Sequence, residues 1–202
     1  MEKRDYKKEL KHLYLPSAKE VVAVDVPAMN FIMVDGRGDP NTSQEFQDAV
    51  EVLYGLSYSA KFMVKKGGVA DFVVPPLEGL WWADDMADFT ASRRDNWKWT
   101  AMIMQPPYVN EEIFERSREE LKRKKDPPGL PKARFESFEE GLCAQIMYIG
   151  PFAEEGPTIE MLHAYIARSG HTLRGKHHEI YLSDFRRTAP EKLKTVLRQP
   201  MG

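Results

Sequence analysis

The residues best able to do chemistry lie in one short stretch, Gly175-Lys-His-His-Glu-Ile-Tyr-Leu-Ser-Asp-Phe-Arg-Arg187. Read as a strand, its side chains alternate, so His177, Glu179 and Tyr181 share one face and His178, Ile180 and Leu182 the other. Ile180 and Leu182 can bury against a helix, which turns Glu179 and Tyr181 the opposite way. The aromatic segments Trp81-Trp82 and Trp97-Lys-Trp99 must also be buried. If they wall a cavity, Glu179 is its one charged group. A carboxylate in such a dry site attracts cations and serves as a general base toward water. On pattern alone the plainer reading is favoured: a solvent-facing strand glutamate, or one paired with Arg186 or Arg187.

The other candidates divide in the same way. Trp81, Trp82, Trp97 and Trp99 are core residues on the plain reading, because an indole buries a large area wherever it lies. Adjacent strand residues point to opposite faces, so only one of Trp81 and Trp82 shares a given face, whereas Trp97 and Trp99 share theirs. One of each pair is expected to stack on a flat ligand. A phenol can hold a water or polarise a carbonyl oxygen. For Tyr148 that role and packing stand level; for Tyr54, Tyr58, Tyr108 and Tyr181 packing is favoured. His177-His178 is not a metal pair, since neighbours on a strand cannot ligate one ion together. Gly36-Arg-Gly-Asp-Pro40 lacks the Gly-Lys-Ser/Thr ending of a phosphate loop and reads as a turn.

These side chains belong to a chain of 202 residues, 42% hydrophobic and 11% aromatic, enough to build a sizeable core. A net charge of -2, with no long Lys/Arg run, gives no footprint for direct nucleic-acid binding. Cys143 is the sole cysteine, which excludes a disulfide framework, and its apolar setting marks it as a buried small side chain. No signal peptide or membrane-spanning run is present, so a cytoplasmic protein without membrane partners is expected.

The elements that must position the candidates follow from periodicity. Residues 5–15 form a short amphipathic strap helix stopped at Pro16. Strands are expected over 20–27 and 30–35. A helix follows, capped near Asn41, Thr42 or Ser43, with an apolar stripe from Phe46 to Val64 and a stop at Gly67-Gly68. Strands at 70–74, 77–82 and 97–104 precede a charged linking helix over about 110–125 and a Pro-rich linker, 126–131. The second part repeats the order: strand 141–149, helix 154–168, the strand around Glu179, and strand 193–198. One domain with a pseudo-repeat, about 17–108 and 132–200, is predicted. Its fold class is α+β, duplicated β-α-β-β units forming an antiparallel-rich sheet with helices on one face and a ligand groove on the other.

Several segments then resemble the GyrI-like small-molecule-binding domain proteins. They are Asp5-Tyr-Lys-Lys-Glu-Leu10, Leu15-Pro-Ser-Ala-Lys-Glu20, Asp35-Gly-Arg-Gly-Asp-Pro-Asn41 and Pro75-Pro-Leu-Glu-Gly-Leu-Trp-Trp82. Further ones are Trp97-Lys-Trp-Thr-Ala-Met-Ile-Met-Gln-Pro106, His178-Glu-Ile-Tyr-Leu-Ser-Asp184 and Thr188-Ala-Pro-Glu-Lys-Leu-Lys194. The resemblance spans nearly the whole chain in the family's order; Phe185 departs from it, where the pattern has proline. It implies the effector-domain fold of multidrug-responsive regulators, in which an acid in an aromatic cleft recognises cationic lipophilic compounds, and Glu179 lies on the matching strand. Without an attached helix-turn-helix, the chain resembles the stand-alone branch, including the cyclopropanoid cyclopropyl hydrolases. That likeness implies a cofactor-independent hydrolase adding water to the strained ring of a DNA-alkylating compound. Glu179 and Tyr148 would be catalytic, with Trp81, Trp82, Trp97, Trp99, Tyr54, Tyr58, Tyr108 and Tyr181 around a flat aromatic or amphipathic ligand. The alternative is a non-catalytic binder or sensor of amphipathic or cationic drugs, or a gyrase-interacting module.

Overall fold

The computed structural model describes residues 2–85 and 91–202. In chain order its elements are β1 (Lys3–Arg4), α1 (Tyr6–Glu9), α2 (Lys11–Tyr14), β2 (Val22–Val26), β3 (Met29–Arg37), α3 (Gln44–Lys66), β4 (Asp71–Phe72) and β5 (Leu77–Trp82). They continue with β6 (Lys98–Gln105), α4 (Glu111–Lys124), β7 (Arg134–Phe138), β8 (Gly141–Ile149), α5 (Gly156–Arg168), β9 (His177–Tyr181) and β10 (Lys194–Pro200). These form two compact units, one of Met29–Phe138 with the residues up to Tyr6, the other of Lys7–Ala28 and Glu139–Gly202.

In the first unit, Ser43 sets the start of α3 by accepting a hydrogen bond from the Phe46 N–H, a side-chain cap on an otherwise orphaned donor. Phe46, Ala49, Leu53, Leu56, Ala60 and Val64 then recur at helical spacing and are buried. The helix ends at Gly67, followed by Gly68 with φ +72°. Four antiparallel strands run in the order β5-β6-β3-β7. α4 begins where the Asn110 side chain accepts from the Ile113 N–H, and it buries Phe114, Ser117 and Leu121 while its charged residues face outward. Gly55 permits the close approach of α3 and α4, for a Cβ there would stand 2.9 Å from Leu121.

The second unit has the same antiparallel arrangement, in the order β2-β8-β10-β9. Leu162 and Ile166 of α5 pack with Ala144, Ile146, Leu197 and Met201 on one face of these strands. The other face holds a buried ionic set. Glu140 lies 3.0 Å from His178 Nδ1 and accepts from Arg198 Nη1 at 3.1 Å, and Arg198 also donates to Gln145. Arg198 Nη2 and Gln145 Nε2 reach on to the Leu13 and His12 carbonyls, which fixes α2 against this face.

Matching β3-α3-β5-β6 to β8-α5-β9-β10 gives two copies of one β-α-β-β order. Each copy carries an added flanking strand, β7 beside β3 and β2 beside β8. Neither unit is therefore one continuous stretch: β2 pairs with β8 although β3 follows it at once.

Three local features differ from the periodicity reading. Residues 6–14 make two single helical turns, broken where Leu10 takes φ −103° and ψ 47°. The strand β7 has no counterpart in that reading, because Arg-Phe-Glu-Ser-Phe alternates too briefly to stand out. The Glu179 strand stops at Tyr181, since Asp184 organises a turn by accepting from the Arg186 backbone N–H at 3.0 Å. No helix among the described residues is long and apolar enough to cross a membrane.

Candidate functional site: a clamped carboxylate and an indole cluster

Glu179 lies on β9 opposite Leu197 of β10, and Leu197 in turn lies opposite Ile146 of β8. Directly opposed residues share a face. Leu197 and Ile146 belong to the α5 core, so Glu179 stands on the helix-bearing side. This corrects the expectation that Ile180 and Leu182 would take the helix and leave Glu179 facing away. The alternation is as read, but both faces of β9 are buried, so apolarity could not mark the helix side. Ile180 instead lies opposite Val196, next to the Glu140 ionic set.

Glu179, 8% exposed, is flanked on both sides by side chains of its own strand. The Tyr181 hydroxyl donates to Oε2 at 2.9 Å, and His177 Nε2 lies 3.3 Å from Oε1. Arg186 and Arg187 pair with Asp184. Phe152 stands edge-on to the Tyr181 ring at 5.7 Å. Above this row, α5 supplies His163, whose Nε2 is buried without a hydrogen bond; burial and then the nearby His177 lower its pKa.

Tyr148 shares the face, because Thr195 lies opposite both Tyr148 and Tyr181. Its hydroxyl donates to the Pro151 carbonyl at 2.9 Å. The phenol that bonds Glu179 is thus Tyr181, which the sequence reading assigned to packing. Burial, then the charges of Glu154 and Glu155, push the Tyr148 pKa up, so at neutral pH it is a protonated phenol. Gly150, at φ +152°, makes room for it, as a Cβ there would stand 2.5 Å from the Tyr148 oxygen.

The first unit gathers three of the four tryptophans. Trp81 lies opposite Trp99, and Trp99 opposite Gly36, on the α3 side. Phe46 of α3 meets Trp99 edge-on at 5.0 Å and Trp81 at 5.7 Å, while Trp97 meets Trp81 at 6.1 Å. Trp82 points to the other face, opposite Lys98. Glycines seat the indoles: a Cβ on Gly36 would stand 2.2 Å from the Trp99 ring, and one on Gly79 2.7 Å from Trp81 Nε1. Tyr54 and Tyr58 form a stacked row with Phe62 along α3, whereas Tyr108 joins Tyr6 and Phe72. A groove of about 850 Å³ lies beside α3 and α4, with Lys66, Arg116, Glu119, Glu120 and Arg123 giving its lining both signs.

Cys143 is buried, and burial pushes its thiol up to about 12, which removes it as a nucleophile. Among the described residues no group of His, Cys, Asp and Glu is placed to hold a metal ion. Sequence reasoning missed three buried carboxylates, Asp71 of β4, Glu140 and the fully buried Glu78 of β5. For Glu78, as for Arg198, a signal was available, a lone charge in an otherwise apolar run such as Leu77-Glu-Gly-Leu80 or Thr195-Val-Leu-Arg198; Glu140 stands beside Glu139 and carries no such mark.

The sequence pattern of the GyrI-like small molecule binding domain matches residues 19–200. The chain belongs to the GyrI-like family. Two crystal structures from Listeria innocua are similar over almost their whole length. One, an uncharacterized conserved protein, is 43% identical with a TM-score of 0.92, covering 99% of this chain and 100% of its own. The other, a hydrolase, is 42% identical with a TM-score of 0.90, covering 100% of both chains. The C-terminal domain of EcmrR, at 9% identity and a TM-score of 0.55 over 91% of this chain and 97% of its own, shares the fold alone. No curated protein matches the chain. As a GyrI-like domain the protein is a small-molecule-binding module, of the duplicated antiparallel α+β class expected from its sequence.

Proposed function

We propose that this GyrI-like protein is a cofactor-independent hydrolase that opens the cyclopropyl ring of DNA-alkylating cyclopropanoid compounds by adding water. The observation that carries the reading is the Glu179 carboxylate, buried, hydrogen-bonded at Oε2 by Tyr181 and with His177 Nε2 3.3 Å from Oε1. End-to-end likeness to a Listeria innocua hydrolase supports the same class of activity.

In this reading Glu179 orients a water and takes its proton as the oxygen bonds to the ring methylene. The strained carbon–carbon bond breaks, its electron pair moves into the conjugated carbonyl, and a proton returns to that oxygen. Ring strain drives the step, so positioning by one fixed carboxylate suffices. Tyr148, a neutral phenol, serves as hydrogen-bonding partner to the ligand. Of the four tryptophans, the half-buried Trp82 and Trp97 are the ones proposed to meet flat aromatic ligands, while Trp81 and Trp99 are buried against Phe46 and belong to the core.

The test is mass spectrometry of a cyclopropane-bearing alkylator incubated with the protein. Addition of one water by the wild type, lost in Glu179→Gln while ligand binding persists, is the expected result. Unchanged ligand that nevertheless binds tightly points to the non-catalytic binder instead. Turnover that survives in Glu179→Gln removes the assignment.

A further inference from the structure

Three lysines of the first unit converge on one carboxylate in a place the proposed chemistry does not use. Asp71 on β4 is the register partner of Lys3 on β1. Lys65 Nζ donates to Asp71 Oδ2 at 2.7 Å, while Lys61 Nζ stands 3.8 Å from Oδ1, too far for a hydrogen bond. Lys61 and Lys65 are one helical turn apart on α3, so their amines lie side by side. Lys65 is 53% exposed and well solvated, whereas the Lys61 side chain is only 12% exposed, its amine 5.8 Å from the Phe62 ring centre.

The near oxygen of Asp71 is thus taken by Lys65, and Lys61, largely buried where Lys3 and Lys65 are exposed, is held only at ion-pair distance. Burial first, then the charge of Lys3, lowers the Lys61 pKa; Asp71 pulls it back and Lys65 adds to the lowering. Asp71 itself is held below the usual carboxylate range chiefly by its hydrogen bond from Lys65. A lysine amine is nucleophilic only when neutral, and crowding by like charge favours that form.

We propose that Lys61 is an acylation site for acyl phosphates, with the Lys3 and Lys65 ammoniums drawing in the phosphate and the Lys61 amine attacking the carbonyl. In the step a nitrogen–carbon bond forms and the carbon–oxygen bond to phosphate breaks. The amine proton leaves with the phosphate as hydrogen phosphate, so atoms and charge balance without a further reactant. Acylation then removes one of the three positive charges around Asp71. This inference is independent of the reading of Glu179.

The test treats the full chain at pH 8 with acetyl phosphate and, separately, with uncharged acetic anhydride, mapping acetylated peptides by mass spectrometry. With both reagents Lys61 is expected to react several-fold faster than the exposed Lys8 and Lys19. Inorganic phosphate should slow only the acetyl phosphate reaction at Lys61. Lys65→Gln, a change at an exposed side chain, frees Asp71 to pair with Lys61 and should slow both. A Lys61 rate no greater than that of Lys8 and Lys19 overturns the proposal. So does a preference with the anhydride alone, which removes the docking of phosphate.

Discussion

The Tyr181 hydroxyl and the Glu179 carboxylate, two residues apart on β9, are joined by a 2.9 Å hydrogen bond, with His177 at 3.3 Å on the carboxylate's far oxygen. Period-two alternation puts all three on one face, so a single short strand builds the whole constellation. The carboxylate is thereby bonded within its own strand.

Tyr181→Phe tests what that bond does. The ring and its edge contact with Phe152 remain, so any loss of thermal stability should come from the hydroxyl alone. The lost bond to a charged, buried acceptor should cost about 1.5–3 kcal/mol of stability, and ring opening should slow with ligand affinity retained. Turnover equal to wild type would show that Glu179 needs no orientation from the phenol.

Acid should destabilise the second unit through Glu140. Burial alone would raise its carboxyl, but the His178 ring and the Arg198 guanidinium outweigh that and bring it down from 4.5 to about 2. Below about 4.5 the unfolded chain takes up a proton that the folded chain resists until about 2, so stability falls across that window and is fully present above it. The contribution is on the order of 3 kcal/mol. Glu140→Gln should flatten this part of a urea-midpoint-against-pH curve. At neutral pH it should also cost about 3–5 kcal/mol, since Arg198 would keep a buried charge without its anion. An unaltered acid limb in the variant would assign the transition to other carboxylates.

These two sites were not equally legible in the sequence. Alternation within residues 177–181 correctly separated His177 and Glu179 from His178, because side-chain direction along a strand is a local property. Which face meets α5 was not local: it depends on β10 lying between β8 and β9, and no pattern in β9 itself encodes that. The β-α-β-β order could be read from the spacing of apolar runs and Gly/Pro stops. The placement of β2 beside β8 could not, because nothing in Val22–Val26 distinguishes a partner across the chain from the adjacent β3. The Glu140–His178–Arg198 set assembles from residues far apart in sequence; only Arg198 shows as an isolated charge in apolar company, while Glu140 and His178 are masked by polar neighbours.

Gly36→Ala should injure the first unit. A methyl there would sit 2.2 Å from the Trp99 indole, which is fully buried between β3, β6 and Phe46 and has nowhere to retreat. Overpacking of this kind costs about 1–3 kcal/mol. A lowered melting temperature together with a change in tryptophan emission is expected. A melting temperature equal to wild type would mean that the indole repacks freely, which the Phe46 edge contact argues against.

Gly150→Ala and Tyr148→Phe together decide whether Tyr148 acts on the ligand or only packs. The phenylalanine variant keeps the ring and loses the bond to the Pro151 carbonyl, a change of about 0.5–1.5 kcal/mol in stability. The alanine variant keeps the hydroxyl but pushes it aside, since its Cβ would stand 2.5 Å from the phenol oxygen, at a backbone φ of +152° that suits glycine. If Tyr148 hydrogen-bonds the ligand, both variants should slow ring opening even where the fold survives, because one lacks the donor and the other misplaces it. Burial and the Glu154 and Glu155 charges raise the Tyr148 pKa above its usual 10.0, so its contribution should persist unchanged through mildly alkaline buffers. If turnover in Tyr148→Phe stays at the wild-type level while only stability drops, the hydroxyl serves the loop at Pro151 and the reaction rests on Glu179 without it.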